Sequence, residues 1–326
     1  MLESAKEIKV LTSLKFPRLG IDMLKEAGFK VTEWTEGRPM TPDELIKNAQ
    51  KHNALFSASS DKLDENFLRS CSHLDLISQF SVGYDNIDLK VANELNIHFG
   101  NAPGAMVKAT SDVAFGLMIS ASRRMFHMHK LIEQGNWKFF HPEEHLGQEL
   151  YGKTLGVFGL GKIGMEMARK CKSAFGMEVI YCNRNPNKAA DGELTAQVVS
   201  FSDLLERSDV LSVHCPLNDE TRGLFDLSAF KKMKSTSIFI NTSRGGVHKE
   251  EDLILALEKE MIWGAGLDVT DPEPMSPDNP LLKMESACVV PHIGSATVEA
   301  RNRMSEYAAK NIIEYYKTGK VAFPIR

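Results

Sequence analysis

Three residue types able to handle a carboxylate and a neighbouring ketone stand in the last third of the chain. Arg244 lies in Asn-Thr-Ser-Arg244-Gly-Gly, Glu273 in Asp271-Pro-Glu273-Pro, and His292 in Cys288-Val-Val-Pro-His292-Ile-Gly-Ser. They sit at or just past apolar runs that read as strands, the edge at which open α/β sheets hold their ligands. Reducing a 2-keto acid needs a cation that binds the carboxylate and polarises the ketone. It also needs a proton donor for the oxygen that becomes an alkoxide. An arginine fork suits the first task and an imidazolium the second. A carboxylate beside the histidine raises its pKa and orients the ring. Taken singly, Arg244 also reads as a loop salt bridge, Glu273 as a solvated acid and His292 as a satisfied strand-end histidine. Their joint placement behind a cofactor fingerprint favours the chemical reading.

The fingerprint is Gly159-Leu-Gly161-Lys162-Ile163-Gly164, entered by the strand-like residues 155–158 and left by the helix-compatible residues 163–172. Gly159 permits a tight turn, Gly161 admits a pyrophosphate to the backbone, and Gly164 lets the helix pack close to the strand. Lys162 and Ile163 open the helix whose unpaired N–H groups face the phosphates. Together these residues predict a dinucleotide site. The next strand runs 178–183, and Asn183 lies about 20 residues past the last glycine, where NAD enzymes place a carboxylate. No carboxylate stands there. Arg184 beside it offers a charged fork to a 2′-phosphate, so NADP is expected over NAD; the plainer alternative is an exposed strand-end arginine.

The elements that must position these residues alternate in an α/β pattern. In the first hundred residues, 8–14, 30–34, 54–58 and 74–80 read as strands, with a helix-capping signal at Thr41-Pro42-Asp43-Glu44. Asn101-Ala-Pro-Gly104 is turn chemistry. A single long helix is expected over 109–133. Later strands are expected at 197–200, 210–215, 237–241, 264–269 and 288–291, separated mostly by helical segments, as in a doubly wound sheet. An amphipathic helix over 297–316 is expected to return to the first domain. The resulting division is a domain of 1–101 with 297–326 and a dinucleotide-binding domain of 102–296.

Composition sets bounds. With 326 residues the chain has room for two domains and ample cores, and its 43% hydrophobic and 25% charged residues are those of a globular protein. A net charge of −4 without a basic tract or acidic tail gives no sign of nucleic-acid or membrane binding. No apolar run approaches membrane-spanning length, and the N-terminal segment Met1–Val10 lacks a signal-peptide core. Five dispersed cysteines without C-x-x-C pairs suit reduced thiols in a cytoplasmic protein.

Over nearly its whole length the chain resembles the D-isomer-specific 2-hydroxyacid dehydrogenases. The segments that carry the resemblance are 81–88 (Ser-Val-Gly-Tyr-Asp-Asn-Ile-Asp), the fingerprint, 214–221 (His-Cys-Pro-Leu-Asn-Asp-Glu-Thr), 233–246, Gly266-Leu-Asp-Val269 with Glu273-Pro274, and Pro291-His-Ile-Gly-Ser295. Within the family it is most similar to the glyoxylate/hydroxypyruvate reductases, in which NADP preference is usual. The resemblance implies two Rossmann-like or flavodoxin-like doubly wound parallel-sheet domains with a cleft between them. It implies that Arg244 binds substrate, that His292 is the acid–base with Glu273 as partner, and that Val82 and Gly83 offer backbone N–H groups to the substrate carboxylate across that cleft. Pro216, Thr242 and Asp268 fall on positions that line the cofactor, and a homodimer is usual. One departure is Phe140, which follows Trp137 where those reductases commonly carry a second tryptophan, a position that bears on substrate preference. The reaction implied is NADPH-dependent reduction of glyoxylate or hydroxypyruvate. Alternatives are 2-ketogluconate, pyruvate or phosphohydroxypyruvate as substrate, or a dinucleotide-sensing corepressor-like protein.

Two histidine patterns invite a metal. His141-Pro-Glu-Glu-His145 matches a zinc-peptidase motif, but Pro142 and Gly147 argue against the helix that such ligands require, and the segment reads as a connector. His127 and His129 are two apart, face different sides of a helix and read as surface. No metal is expected.

Overall fold

The computed structural model describes residues 7–325; residues 1–6, which include most of the segment read for a leader, and residue 326 lie outside the described residues. The chain divides into two compact units, Met1–Met106 with Ala296–Arg326, and Val107–Ser295. The passage between them falls at 106–107, beyond the expected boundary at 101–102. The reason is local bonding: Ala102 N–H donates to Ser81 O at 2.8 Å and Asn101 N–H to Phe323 O at 3.1 Å, which keeps this turn in the first unit.

The first unit holds strands β1 (Lys9–Thr12), β2 (Lys30–Glu33), β3 (Ala54–Ser57), β4 (Leu76–Gln79) and β5 (His98–Gly100), with helices α1 (Arg18–Glu26), α2 (Pro42–Ala49), α3 (Glu65–Ser70) and α4 (Leu89–Glu94). All pairings are parallel and the order is β2-β1-β3-β4-β5, the flavodoxin-like arrangement. Every residue of β3 and β4 is buried, as parallel strands covered on both faces require. The expected capping box forms at α2: Thr41 Oγ1 accepts from Glu44 N–H while Glu44 Oε2 accepts from Thr41 N–H. Strand β5 was not expected, since its three residues carry too little pattern to stand out beside the turn that follows.

The second unit opens with α5 (Val107–Ser122) and α6 (Met125–Glu133), where one continuous helix was expected. The break is at Arg124, whose backbone is left-handed at φ 50°. Its guanidinium lies 4.3 Å over the Trp263 ring, and Glu285 stands 3.6 Å away. These tertiary partners take the residue out of helical line. Strands β6 (Thr154–Phe158), β7 (Glu178–Cys182), β8 (Gln197–Val198), β9 (Val210–Val213), β10 (Ile238–Asn241), β11 (Gly264–Leu267) and β12 (Ala287–Val289) form an all-parallel sheet ordered β12-β11-β10-β9-β6-β7-β8. This is the Rossmann order with one strand added at the β12 edge. Helices α7 (Lys162–Phe175), α8 (Lys188–Leu194), α9 (Phe201–Arg207), α10 (Leu227–Lys232) and α11 (Glu250–Glu258) complete the unit. Its two apolar cores include Leu155, Met167 and Tyr181 in one and Leu211, Phe225 and Phe239 in the other.

Residues 134–149 form neither helix nor strand, and Trp137, Phe139 and Phe140 are exposed at 67%, 70% and 83%. His127 departs from the surface reading: its side chain is only 20% exposed and faces Glu285 at 3.3 Å, whereas His129 is exposed. None of the helices among the described residues is long and apolar enough to cross a membrane.

The C-terminal helix, Val298–Thr318, is capped by Thr297 and ends at the left-handed Gly319. It belongs to the first unit and packs on α1. Its buried Asn311 explains the attachment: Nδ2 donates to Ser78 Oγ (3.1 Å) and Asn101 O (3.0 Å), and Oδ1 accepts Phe323 N–H (2.8 Å). Replacing a side chain that satisfies so many buried groups strands them at about 1–3 kcal/mol each. Asn311→Leu should therefore lower the urea midpoint of the first unit substantially; a midpoint within error of the parent's would show that these bonds contribute nothing net.

Candidate active site

The dinucleotide cradle lies where β6 gives way to α7, at the point between β6 and β9 where the strand order reverses. Gly159 is left-handed at φ 92°, and a Cβ there would sit 2.7 Å from Cys215 N and 2.8 Å from the His214 carbonyl carbon. Gly164 is equally constrained, because a Cβ would meet Gly159 O at 2.8 Å and Val157 at 3.0 Å. At Gly161 a Cβ would meet nothing within 4 Å, which is open space beside a helix N-terminus. Helices α8, α9 and α10 each begin on a capping side chain (Asn187, Ser200, Asp226), whereas α7 begins at Gly161 with none. The N–H groups of Lys162, Ile163 and Gly164 bond to no other described residue. A lysine opens this helix and no acidic residue follows in the first turn, an arrangement the helix dipole disfavours unless an anion is brought in. The residues present fit a dinucleotide pyrophosphate.

At the end of β7, Asn183 is not free to meet a ribose with its whole carboxamide. Its Oδ1 accepts Leu160 N–H at 2.6 Å, and Asn187 Nδ2 donates to Leu160 O at 2.9 Å, so the fingerprint loop is held from both sides of one residue. Asn187 N–H in turn donates to the Tyr181 hydroxyl, which donates to Asp191. Arg184 is exposed and has no ion pair or hydrogen bond among the described residues. It stands at the strand end that the expected 2′-phosphate contact requires.

Arg244, Glu273 and His292 follow β10, β11 and β12, on the same strand-end edge as the cradle. His292 Nδ1 lies 2.9 Å from Glu273 Oε2, and Glu273 Oε1 accepts Thr270 N–H at 2.9 Å. The His292 pKa is raised, first by the bond to Glu273 and then by the Glu273 and Asp268 charges, against burial and the Arg244 charge. Burial acts to raise that of Glu273, but the His292 bond, the Thr270 N–H and the His292 and Arg244 charges outweigh it and hold the carboxyl below its usual range. Half-exposed in side chain, the pair can exchange with a ligand.

Sequence reasoning did not foresee what holds these groups. Asp268, expected to line the cofactor, gives Oδ1 to Ile293 N–H (2.6 Å) and Oδ2 to Gly294 N–H (2.8 Å), while its carbonyl accepts His292 N–H (2.9 Å). Those bonds maintain His292 in a left-handed conformation at φ 50°, an uncommon one for a residue with a Cβ. Asn241 Oδ1 accepts Ser243 N–H, and its Nδ2 donates to Arg244 O (2.9 Å) and to the buried His248 Nδ1 (3.1 Å). A Cβ at Gly245 would collide with the Thr270 carbonyl, so glycine lets the Arg244 loop lie directly against the Glu273 loop. Thr242 Oγ1 is 3.4 Å from His214 Nδ1, and Ser212 Oγ is 2.8 Å from His214 Nε2; burial pushes the His214 pKa down to about 4, so the ring is a neutral spacer. Pro216 is exposed just past β9, its carbonyl accepting the Thr221 hydroxyl. A polar residue at the end of an apolar strand or directly after it, as Asn241 and Asp268 are, was the available signal. In the first unit, Val82 and Gly83 follow β4, and their N–H groups bond to no other described residue.

Residues 115–294 match the family described as D-isomer specific 2-hydroxyacid dehydrogenase, NAD binding domain. Among curated relatives, the chain is 37% identical over 314 residues to a glyoxylate reductase of Korarchaeum cryptofilum, covering 96% of this chain and 94% of that one. It is 39% identical over 313 residues to a glyoxylate reductase of Thermococcus litoralis, covering 95% and 94%. Among solved structures, a glyoxylate reductase from Paecilomyes thermophila has a TM-score of 0.88 at 30% identity, covering 98% of this chain and 99% of that one. An NADPH-dependent glyoxylate/hydroxypyruvate reductase from Sinorhizobium meliloti, in complex with NADP and malonate, has a TM-score of 0.85 at 26% identity over 98% and 97%. The chain belongs to the D-isomer-specific 2-hydroxyacid dehydrogenase family, and its second unit contains that family's nicotinamide-dinucleotide-binding domain.

Proposed function

We propose that the chain reduces small 2-keto acids to D-2-hydroxy acids with NADPH, glyoxylate and hydroxypyruvate being preferred. The observation that carries this reading is the 2.9 Å Glu273–His292 pair, set with Arg244 on the strand-end edge that also forms the dinucleotide cradle. The names of the full-length relatives support the substrate class, and the NADP complex of one neighbour supports the cofactor.

Bound reduced nicotinamide supplies the hydride. Arg244 binds the substrate carboxylate and polarises the ketone, and the Val82 and Gly83 N–H groups are further donors to that carboxylate. His292 delivers the proton from Nε2, since Glu273 engages Nδ1 and raises the pKa of the ring. Gly159, Gly161, Lys162, Ile163 and Gly164 hold the pyrophosphate. Asn183 braces the loop beside the adenosine ribose, and Arg184 takes the 2′-phosphate. Pro216 and Thr242 line the cofactor, with Asp268 acting from behind through the His292 loop. The exposed Trp137, Phe139 and Phe140 suit burial in a homodimer, and the unpaired thiols suit the cytoplasm.

The direct test is absorbance loss of NADPH with glyoxylate, hydroxypyruvate, pyruvate and 2-ketogluconate in parallel. Turnover of the first two at the highest kcat/KM is expected; no oxidation with any 2-keto acid would overturn the reading.

His292→Ala should lower kcat about 10²–10⁴-fold with little effect on KM, because the proton is needed in the transition state. Reduction requires imidazolium, so its rate should hold on the acid side and fall as pH rises through a His292 pKa lying above the usual histidine value. Glu273→Gln removes the anion that raises this pKa, so the fall should move to lower pH. A break that stays in place would assign the proton to another group.

Arg184→Ala should raise the KM for NADPH about 10–100-fold, the equivalent of one charge-assisted contact, and leave NADH almost unchanged. Equal use of both cofactors by the parent protein would refute the assignment.

A further inference from the structure

We propose that Asn101, Ser81 and Gln79 are positioning residues that set the carboxylate receptor of the first unit. The inference rests on the reading above, in which the Val82 and Gly83 N–H groups take the substrate carboxylate. It adds what aims them.

Three consecutive carbonyls of this loop are pinned. Ser81 O accepts Ala102 N–H at 2.8 Å, and Val82 O accepts Asn101 Nδ2 at 2.8 Å. Gly83 O accepts both the Ser81 hydroxyl at 2.7 Å and Gln79 Nε2 at 3.0 Å. The peptide bonds from Ser81 to Tyr84 are trans. In a trans peptide a carbonyl and the following N–H point in opposite directions. Pinning these carbonyls therefore turns the N–H groups of Val82, Gly83 and Tyr84 away from their anchors, and none of the three bonds to another described residue. The same pins keep the carbonyl dipoles from swinging toward an incoming anion, which they would repel.

The anchors are themselves immobile. Gln79, Ser81 and Asn101 are all buried, at 0%, 6% and 9% exposure. Asn101 is held at both ends of its own backbone, its N–H donating to Phe323 O and its carbonyl accepting from Asn311 Nδ2. Gln79 Nε2 also donates to Asn86 Oδ1 (2.7 Å), and Asn86 Nδ2 donates to Asp61 O (2.8 Å), carrying the brace from β4 to the loop after β3. A receptor held this way loses little freedom when it binds, so its anchors act on substrate affinity.

The test uses the full-length protein with Asn101→Ala and Ser81→Ala. Each should raise the KM for glyoxylate about 3–10-fold, the size of one lost hydrogen bond, with kcat and the KM for NADPH near parental values. Oxalate, a carboxylate the enzyme cannot reduce, should bind the protein–NADP complex more weakly by a similar factor in calorimetry. Slow turnover of glycolaldehyde, which has no carboxylate, should be unaffected, and Ser81→Thr, which keeps the hydroxyl, should restore the KM. Should Asn101→Ala fail to fold, Ser81→Ala carries the test. Variants that bind oxalate and glyoxylate as the parent does overturn the proposal, as do variants that lose glycolaldehyde turnover and NADPH affinity in step with glyoxylate. A parent protein that reduces no 2-keto acid and binds no oxalate overturns instead the reading on which it rests.

Discussion

In both sheets every strand is parallel to its neighbours, and strands such as β3, β4, β9, β10 and β11 are buried along their whole length. Such a strand has no face to give to water, so polar chemistry can leave the sheet only at its ends. Adjacent strand ends lie about 4.8 Å apart, however far apart they are in the chain. In the second unit this brings Gly159 beside His214, His214 beside Thr242, and Asp268 beside both Asn241 and His292. The cradle and the Glu273–His292 pair are two portions of one sheet edge.

An edge of loops carries backbone groups that no ladder satisfies, and in a packed interior those groups need partners. Buried and half-buried side chains supply them. Asn241 serves the Arg244 loop, Asp268 the His292 loop, Asn183 and Asn187 the fingerprint loop, and Gln79 and Asn101 the loop after β4. Each anchor decides which backbone or side-chain group is left facing outward. The same residues shape the electrostatics. Burial raises the Asp268 pKa while the Ile293 and Gly294 N–H groups and the His292 charge draw it down, and Asp268 in turn adds to Glu273 in raising the His292 pKa. The arginine charge acts in the opposite sense on His292, so the imidazole is poised between two carboxylates and one cation rather than set by its nearest partner alone.

What the amino-acid sequence determined by itself is what depends on a few consecutive residues. The fingerprint glycines, the Thr41 capping box, the buried parallel strands and the disconnected segment around His141 all follow from backbone sterics, hydrogen-bond reach and periodicity within about one turn or one strand. Arg244, Glu273 and His292 could be singled out because their chemistry is explicit in their residue types. Only the tertiary structure decided the rest. Arg124 breaks a helix because Trp263 and Glu285 are brought beside it, and β5 exists because β4 is there to pair with. Asp268 turned out to hold a loop, and Asn183 to clasp Leu160, because strand order places β11 next to β12 and β6 next to β7. Such partnerships are set by which strands become neighbours, a choice made by the packing of the whole sheet, and no spacing along the chain encodes it.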